Sequence, residues 1–213
     1  ELGSSILFKQ RLGFSGTPSD LTPHELGRVQ YERGSDGKMV HFLTCQDVVT
    51  VSKSERSWSV DTILRKIATS GRYRALIDAG ALITGLTNRE VATRLLKYGL
   101  NDCDGCVFID GESDKKMILL RSGFRVLHLS QCNVALTRRF CFYDQVHTTG
   151  MDIKHVVNAR AALTLGKDMT FRDFAQAAWR MRGIGAGQTI ELILVPEVMN
   201  LVHDDAKTTG LDA

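Results

Sequence analysis

The sequence predicts an α/β protein with a mostly parallel sheet flanked by helices. Compact apolar runs such as ALIDAG and CVFID have the length and composition of buried strands. Segments with helical spacing separate several of these runs, which is typical of crossover helices between parallel strands. The chain has 213 residues, 43% of them hydrophobic and 24% charged, which is enough for a sizeable core in one domain, or in one domain plus a fragment of another.

The N-terminal part predicts irregular structure. Pro18 and Pro23 interrupt regular structure, and YERGSDGKMVHFLT predicts a strand or loop around a turn at Gly34–Gly37. The chain begins with Glu1 rather than Met, so we expect a longer parent protein. We assign three regions: residues 1–57 as a stub and linker from a preceding domain, 58–198 as the main α/β domain, and 199–213 as a loose tail.

The elements of the main domain follow from its apolar spacing. SWSVDTILRKIATSG predicts a helix that ends at Gly71, and TNREVATRLLKYG predicts a helix with a Thr87 cap and a Gly99 stop. The runs around GESD predict a β-hairpin. FRVLHLS is a short apolar run, and RRFCFYD, RAALTLG and QTIELILVP predict strands. The segment TFRDFAQAAWRMR predicts a helix whose core face is formed by Phe171, Phe174, Ala175 and Ala178.

The segment QAAWRMRGIGAGQ places two arginines between this helix and three alternating glycines. Gln176 and Arg180 lie four residues apart and share a helix face. Arg182 can join Arg180 only if the helix unwinds first, which Gly183 would permit. Because Arg offers a permanent charge and a rigid donor fork, the segment predicts a phosphate site. A solvated basic helix end, favoured by the helix dipole, is the structural alternative.

The loop DQVHTTGMD concentrates polar side chains after an aromatic strand. Asp144 and His147 are spaced to form a structural hydrogen-bonded pair, and a general base held by Asp144 is the alternative for His147. Gly150 would keep the loop low, and Asp152 would anchor it by pairing with an arginine. Ligands of parallel sheets bind beyond the carboxyl ends of strands. We therefore expect one solvent-open cleft edge formed by Gln176, Arg180, Gly150 and Asp152.

Charge and cysteine content narrow the function classes. The net charge of +3 does not identify a nucleic-acid partner. No apolar run approaches the length of a membrane span, so we expect no membrane partner. Five scattered cysteines argue against a disulfide framework and for an intracellular location. Cys103 and Cys106 form a C-x-x-C without a second pair, so we expect no metal there.

Three segments resemble motifs of superfamily-two helicases. TTGMDI resembles motif V, a Gly-x-Asp after a strand of the second RecA-like lobe, and QAAWRMRG resembles motif VI, a Gln followed by arginines that reach the γ-phosphate of ATP. SGTP, at 15–18, is similar to motif III, which closes the first lobe. The three occur in the family's order, and the resemblance covers about residues 58–198 plus the N-terminal stub.

This resemblance implies a second RecA-like lobe with Arg180 and Arg182 as catalytic residues. Its nucleotide side would be lined by Gln176, Gly150 and Asp152, and Thr148 would contact a nucleic-acid backbone. ATP and Mg²⁺ would bind only together with a first lobe of the same polypeptide, since this chain lacks the phosphate-cradling loop and an Asp-Glu box. The isolated chain would then be inactive, and the molecule moved would be a nucleic acid or a protein chain.

The sequence also departs from the helicase pattern. Arg182 stands one residue earlier than motif VI usually places its second arginine, and Thr149 stands where motif V usually has a basic residue. A closer resemblance, over KQRLGFSGTPSDL, YDQVHTTGMDIKH and the segment from AALTLG to GIGAGQ, is to the C-terminal region of very large, uncharacterised eukaryotic proteins that often carry the label ubiquitinyl hydrolase. Two alternatives follow: a thiol hydrolase acting on ubiquitin conjugates, with Cys141 the nearest thiol to His147, or a catalytically inactive RecA-like interaction domain.

Overall fold

The computed structural model describes residues 12–13, 30–31, 34–148 and 152–210. The chain divides into two compact units, Glu1–Cys45 and Gln46–Ala213. In the first unit, β1 (Leu12–Gly13) and β2 (Gln30–Tyr31) pair in parallel, and α1 spans Ser35–Thr44. The SGTP segment lies outside the described residues.

Helix α1 replaces the strand or loop predicted around Gly34–Gly37. Gly34 precedes the helix with φ of 87°, a conformation that glycine adopts without strain. Gly37 lies inside the helix, where glycine costs only about 1 kcal/mol relative to alanine. The second unit also begins earlier than predicted, at Gln46 rather than residue 58, because the strand at 49–53 belongs to its sheet.

The second unit is built on one eight-stranded sheet with the order β3-β10-β9-β4-β8-β5-β6-β7. The first six strands in this order pair in parallel, and β6 and β7 add an antiparallel edge. The predicted α/β class and mostly parallel sheet are therefore confirmed, and the architecture is consistent with a RecA-like lobe. The strands are β3 (Val49–Lys53), β4 (Ala75–Ile77), β5 (Gly105–Ile109), β6 (Lys116–Leu120), β7 (Val126–His128), β8 (Arg139–Tyr143), β9 (Arg160–Thr164) and β10 (Thr189–Leu194).

Four helices of this unit are α2 (Val60–Thr69), α3 (Asn88–Tyr98), α4 (Phe171–Ala178) and α5 (Pro196–Thr208). Reciprocal capping boxes begin α2, α3 and α4, and the predicted Thr87 cap is among them. Gly99 ends α3 as predicted, but for a steric reason, since a Cβ there would lie 2.3 Å from the carbonyl oxygen of Ala68.

The core lies between α2, α3 and the central strands, where Leu64, Leu76, Leu95 and Phe140 are fully buried. Helix α5 occupies the start of the region predicted to be a loose tail, and its Val198 is buried. Residues 199–208 of the predicted tail are helical, and most of their side chains are exposed. No helix in the described ranges is both long and apolar enough to cross a bilayer.

Strands β4 and β9 are neighbours in the sheet, but the chain leaves their carboxyl ends in opposite directions. From β4 it passes through α3 to β5 on one side, and from β9 it passes through α4 to β10 on the other. Such a topological switch point leaves a crevice between the two departing loops, where α/β proteins commonly bind ligands.

Candidate functional site

Helix α4 ends before the two arginines. Trp179 is its C-cap, and tight turns follow, in which the amide of Arg180 donates to the carbonyl of Ala177 and that of Met181 to the carbonyl of Ala178 (3.1 and 3.0 Å). The unwinding that would let Arg182 accompany Arg180 therefore takes place. Arg180 consequently does not continue the helical face of Gln176.

Arg182 forms an ion pair with Asp152. Its Nε lies 3.0 Å from the Asp152 Oδ1, and the two side chains are 44% and 56% exposed. This is the predicted pairing of Asp152 with an arginine across the gap, and the arginine is Arg182. Asp152 is also tied to the hairpin, since Lys116 donates to the Asp152 carbonyl oxygen at 2.5 Å.

Arg180 is only 7% exposed, so the prediction that it lies on a solvent-open edge is wrong. Burial lowers the pKa of Arg180, and the neighbouring charge of Arg182 lowers it further, while Asp152 raises it. An arginine stays protonated in proteins despite such shifts. Arg180 therefore adds a buried positive charge behind the exposed guanidinium of Arg182.

The structure does not bring the remaining predicted site residues to the Arg182–Asp152 pair. Gln176 is half-buried and lines a cavity of about 880 Å³, whose lining does not include Arg180, Arg182 or Asp152. Thr148 ends a short 3₁₀ turn, Val146–Thr148, and nothing is described of its side chain. Gly150 lies outside the described residues.

The predicted core face of α4 is only half correct. Ala175 and Ala178 are buried, and Ala177 is buried with them. Phe171 is exposed, and its ring stacks edge-on against that of the half-buried Phe174, with 6.2 Å between centroids. Because α4 has only eight residues, its C-terminal alanines meet the core while its first turn lies outside it.

Asp144 and His147 form the predicted structural pair. The His147 Nδ1 lies 2.5 Å from the Asp144 Oδ1, and its backbone amide donates to the same oxygen at 3.1 Å. The Nε2 of His147 lies 3.0 Å from the Oδ1 of Asp114, in the β5–β6 turn. Asn88 completes the cluster by donating to the other Asp144 oxygen at 3.0 Å.

Because an ionised carboxylate only accepts hydrogen bonds, both ring nitrogens of His147 act as donors, which requires the protonated imidazolium. Burial lowers the pKa of His147, but the hydrogen bonds to Asp114 and Asp144 and the charges of both carboxylates outweigh it, so the net pKa is raised. A protonated ring with both nitrogens engaged has no free lone pair. The alternative of His147 as a general base is therefore not supported.

Three of the five cysteines are buried and lack the features of a nucleophile. Cys141 lies buried in the central strand β8, and burial raises its pKa to about 12. Cys103 and Cys106 are both fully buried, as expected for thiols leading into a buried strand. No group of three or more His, Cys, Asp or Glu side chains in the described part of the chain is placed to hold a metal. The absence of zinc stays a prediction.

The sequence analysis does not identify the loops at the switch point as a candidate site. Asp78, directly after β4, is buried and accepts hydrogen bonds from the amides of Leu82 and Ile83 and from the hydroxyl of Thr164 (3.0, 2.9 and 2.6 Å). Burial raises its pKa, against the effect of these hydrogen bonds. The sequence signal for these loops is a polar residue at the end of each of two apolar runs, IDAG and LTLGKD.

Comparisons with known proteins add no relative: no protein-family model, no curated protein and no solved structure matches this chain.

Proposed function

We propose that this chain is the second RecA-like lobe of a helicase-like ATPase within a larger protein. In this proposal, Arg182 contacts the γ-phosphate of an ATP molecule that a first lobe holds together with Mg²⁺. The observation that carries the proposal is the exposed Arg182–Asp152 pair, placed on an unwound turn directly after α4. The mostly parallel sheet and the order of the motif-like segments support it.

The chemistry of phosphoryl transfer suits such an arginine. Negative charge spreads over the transferred phosphoryl group in the transition state, and a guanidinium supplied from a second lobe can raise the rate by several powers of ten. An exposed ion pair contributes about 1 kcal/mol or less to stability, so Arg182 can exchange Asp152 for phosphate at little cost. Asp152 then holds Arg182 in place between turnovers.

The other predicted residues take supporting roles in this proposal. Buried Arg180 adds positive potential beside Arg182 rather than touching phosphate, because its side chain lies away from solvent. Gln176 and Gly150 would line the nucleotide side of the cleft, and Thr148 would contact a nucleic-acid backbone. The partner would be a first lobe of the same polypeptide, and a nucleic acid or a protein chain would be the molecule moved. Five free cysteines support an intracellular location.

The second candidate is a catalytically inactive RecA-like interaction domain. The burial of Arg180 favours it, because the residue at the first arginine position of the motif VI pattern cannot reach a ligand from there without rearrangement. A thiol hydrolase acting on ubiquitin conjugates is not supported by Cys103, Cys106 or Cys141, because all three are buried and have raised pKa values.

A binding titration of the isolated chain tests the two-lobe arrangement. Half of the proposed site is missing from this chain, so we expect Mg-ATP to bind with a dissociation constant far above about 1 μM, which corresponds to about −8 kcal/mol. Calorimetry with Mg-ATP provides the measurement. A dissociation constant near 1 μM would show that the chain holds a complete nucleotide site and would contradict the assignment as a second lobe.

A further inference from the structure

The cavity of about 880 Å³ lies at the topological switch point, apart from the Arg182–Asp152 pair. The loops that leave the carboxyl ends of β4, β8 and β9 form its walls, together with Trp58 and the first turn of α5. Cavities of this size and position are the usual ligand sites of open α/β sheets. We call it the switch-point cavity; among the described residues that the proposed ATPase function uses, only Gln176 lines it.

The floor of the switch-point cavity is held in place before any ligand arrives. Asp78 clamps the loop after β4 through two backbone amides, and Thr164 bridges the loops by donating to Asp78 and accepting from the amide of Gly80 (3.1 Å). The loops then touch at Gly80 and Gly166, where a Cβ on either glycine would lie within 2.7 Å of the other loop's backbone. Such a fixed floor reduces the ordering that a ligand must bring about.

The walls combine apolar surface with an excess of negative charge. Trp58, Leu82, Met169 and Val198 supply apolar surface. The lining contains one cation, Lys167, and three carboxylates, from Asp168, Asp173 and Glu197.

Two of these three carboxylates retain acceptor capacity. Glu197 is held at the wall because its Oε2 accepts the Trp58 indole N–H at 2.9 Å, and its Oε1 accepts no hydrogen bond from the described residues. Asp168 is exposed and has no hydrogen bond or ion pair within the described part of the chain. Asp173 is committed to the capping box of Thr170.

We infer that the switch-point cavity binds an ammonium or guanidinium group carried on an apolar chain. The carboxylates of Asp168 and Glu197 would receive the charged group, and the indole of Trp58 with the apolar wall would cover the chain. This chemistry is found both in the Lys or Arg side chain of a polypeptide and in a free polyamine.

An anionic ligand fits the same cavity poorly. The N-terminus of α4 points positive partial charge toward this region, but its Thr170–Asp173 capping box already supplies a carboxylate there. Lys167 is the one lining cation against three carboxylates. A phosphate would therefore meet net repulsion, whereas an ammonium or guanidinium group meets net attraction.

The test uses nuclear magnetic resonance of the ¹⁵N-labelled chain at low ionic strength. The probes are spermidine, a capped lysine-rich peptide and, as the anionic comparison, inorganic triphosphate. We expect spermidine or the peptide to shift the indole signal of Trp58 and the amide signals of Gly80 and Gly166, and triphosphate to leave them unchanged. A Trp58→Phe variant assigns the indole signal.

Charge variants of the lining give changes of opposite sign. For a unit charge about 6 Å from the ligand in a watery cavity, Coulomb's law gives a change of about threefold in affinity. Lys167→Gln should tighten binding of the cationic probe by about threefold, and Asp168→Asn should weaken it by a similar factor. Lys115→Gln and Glu112→Gln, exposed on the β5–β6 turn outside the cavity, are the matched controls and should change affinity little.

The inference is overturned if neither cationic probe shifts the lining signals at millimolar concentration. It is equally overturned if Lys167→Gln weakens binding while Asp168→Asn strengthens it, or if the control variants change affinity as much as the cavity variants. Tighter binding of the peptide than of spermidine would assign the site to a polypeptide side chain, and the reverse order to a free polyamine. Neither result depends on ATP turnover.

Discussion

Replacement of His147 by alanine should destabilise the second unit by about 2–3 kcal/mol. His147 links two loops at the carboxyl edge of the sheet, because its ring bonds Asp144 after β8 and Asp114 in the β5–β6 turn (2.5 and 3.0 Å). The alanine variant leaves the 23%-exposed carboxylate of Asp144 with fewer donors. It also removes the tie between the β5–β6 turn and the residues directly after β8.

The magnitude follows from the exposure of the two carboxylates. Hydrogen bonds to charged groups contribute about 1.5–3 kcal/mol when partly buried, which applies to the bond between His147 and Asp144. Asp114 is 76% exposed, so its bond is screened by water and contributes about 1 kcal/mol or less. Asp114→Asn should accordingly cost less than His147→Ala, because it keeps the stronger of the two bonds.

The destabilisation should also depend on pH with a defined sign. The pKa of His147 is raised in the folded chain, so the protonated ring stabilises the fold fully below the unfolded value of about 6.5. This contribution is lost as the pH rises through the raised folded pKa. The difference between wild type and His147→Ala should therefore be largest near pH 6, within the range where other groups do not unfold the chain, and smaller at alkaline pH.

Urea unfolding followed by tryptophan fluorescence measures this effect, since Trp58 and Trp179 both lie in the second unit. His203→Ala is the matched control, because His203 is exposed on α5 and its loss should change stability little. A destabilisation by His147→Ala below about 0.5 kcal/mol, or one that grows as the pH rises, would refute the view of His147 as a protonated clamp.

Two further predictions concern the loop crossing and the thiols. Gly80→Ala should lower the free energy of unfolding in urea by about 3 kcal/mol, because its Cβ would lie 2.4 Å from the backbone of the facing loop. The matched substitution Gly111→Ala, with open space around the Cβ, should lower it much less. Equal losses of stability would contradict the steric argument. Cys106 and Cys141 should react with a thiol reagent at pH 8 only after unfolding, because burial raises their pKa values. Peptide mass spectrometry measures the labelling. Rapid labelling of Cys141 in the native chain would contradict this prediction and support the thiol-hydrolase alternative.

Most strands of the sheet and two of its helices could be predicted because their signals are local. The apolar run GCVFI forms a strand buried at every position, and the Thr87–Glu90 capping box begins α3 where the sequence places it. Strand β3 was missed because VTVSK has only a partly buried pattern at the sheet edge. Its membership depends on pairing with β10, which lies about 140 residues later in the chain.

The candidate site was harder to predict from the sequence, because its geometry depends on where helix α4 ends. The helical spacing of Gln176 and Arg180 assumed a helix that continued through both, whereas α4 ends at Ala178 and buries Arg180. Asp114 was missed as the second partner of His147, since 33 residues separate them and only the hairpin brings them together. The sequence predicts that Asp152 pairs with an arginine, but it does not indicate which arginine; the structure identifies it as Arg182.

The central claim is that Arg182 serves an ATP site shared with a first lobe, and ATP turnover by the parent polypeptide that contains both lobes tests it most directly. Arg182→Ala should reduce turnover on the order of a thousandfold while leaving folding nearly intact, because its ion pair with Asp152 is exposed. Arg172→Ala, which removes an exposed arginine from α4, is the matched control and should leave turnover unchanged. Normal turnover by the Arg182→Ala protein would contradict the proposal and leave Arg182 and Asp152 as a surface ion pair.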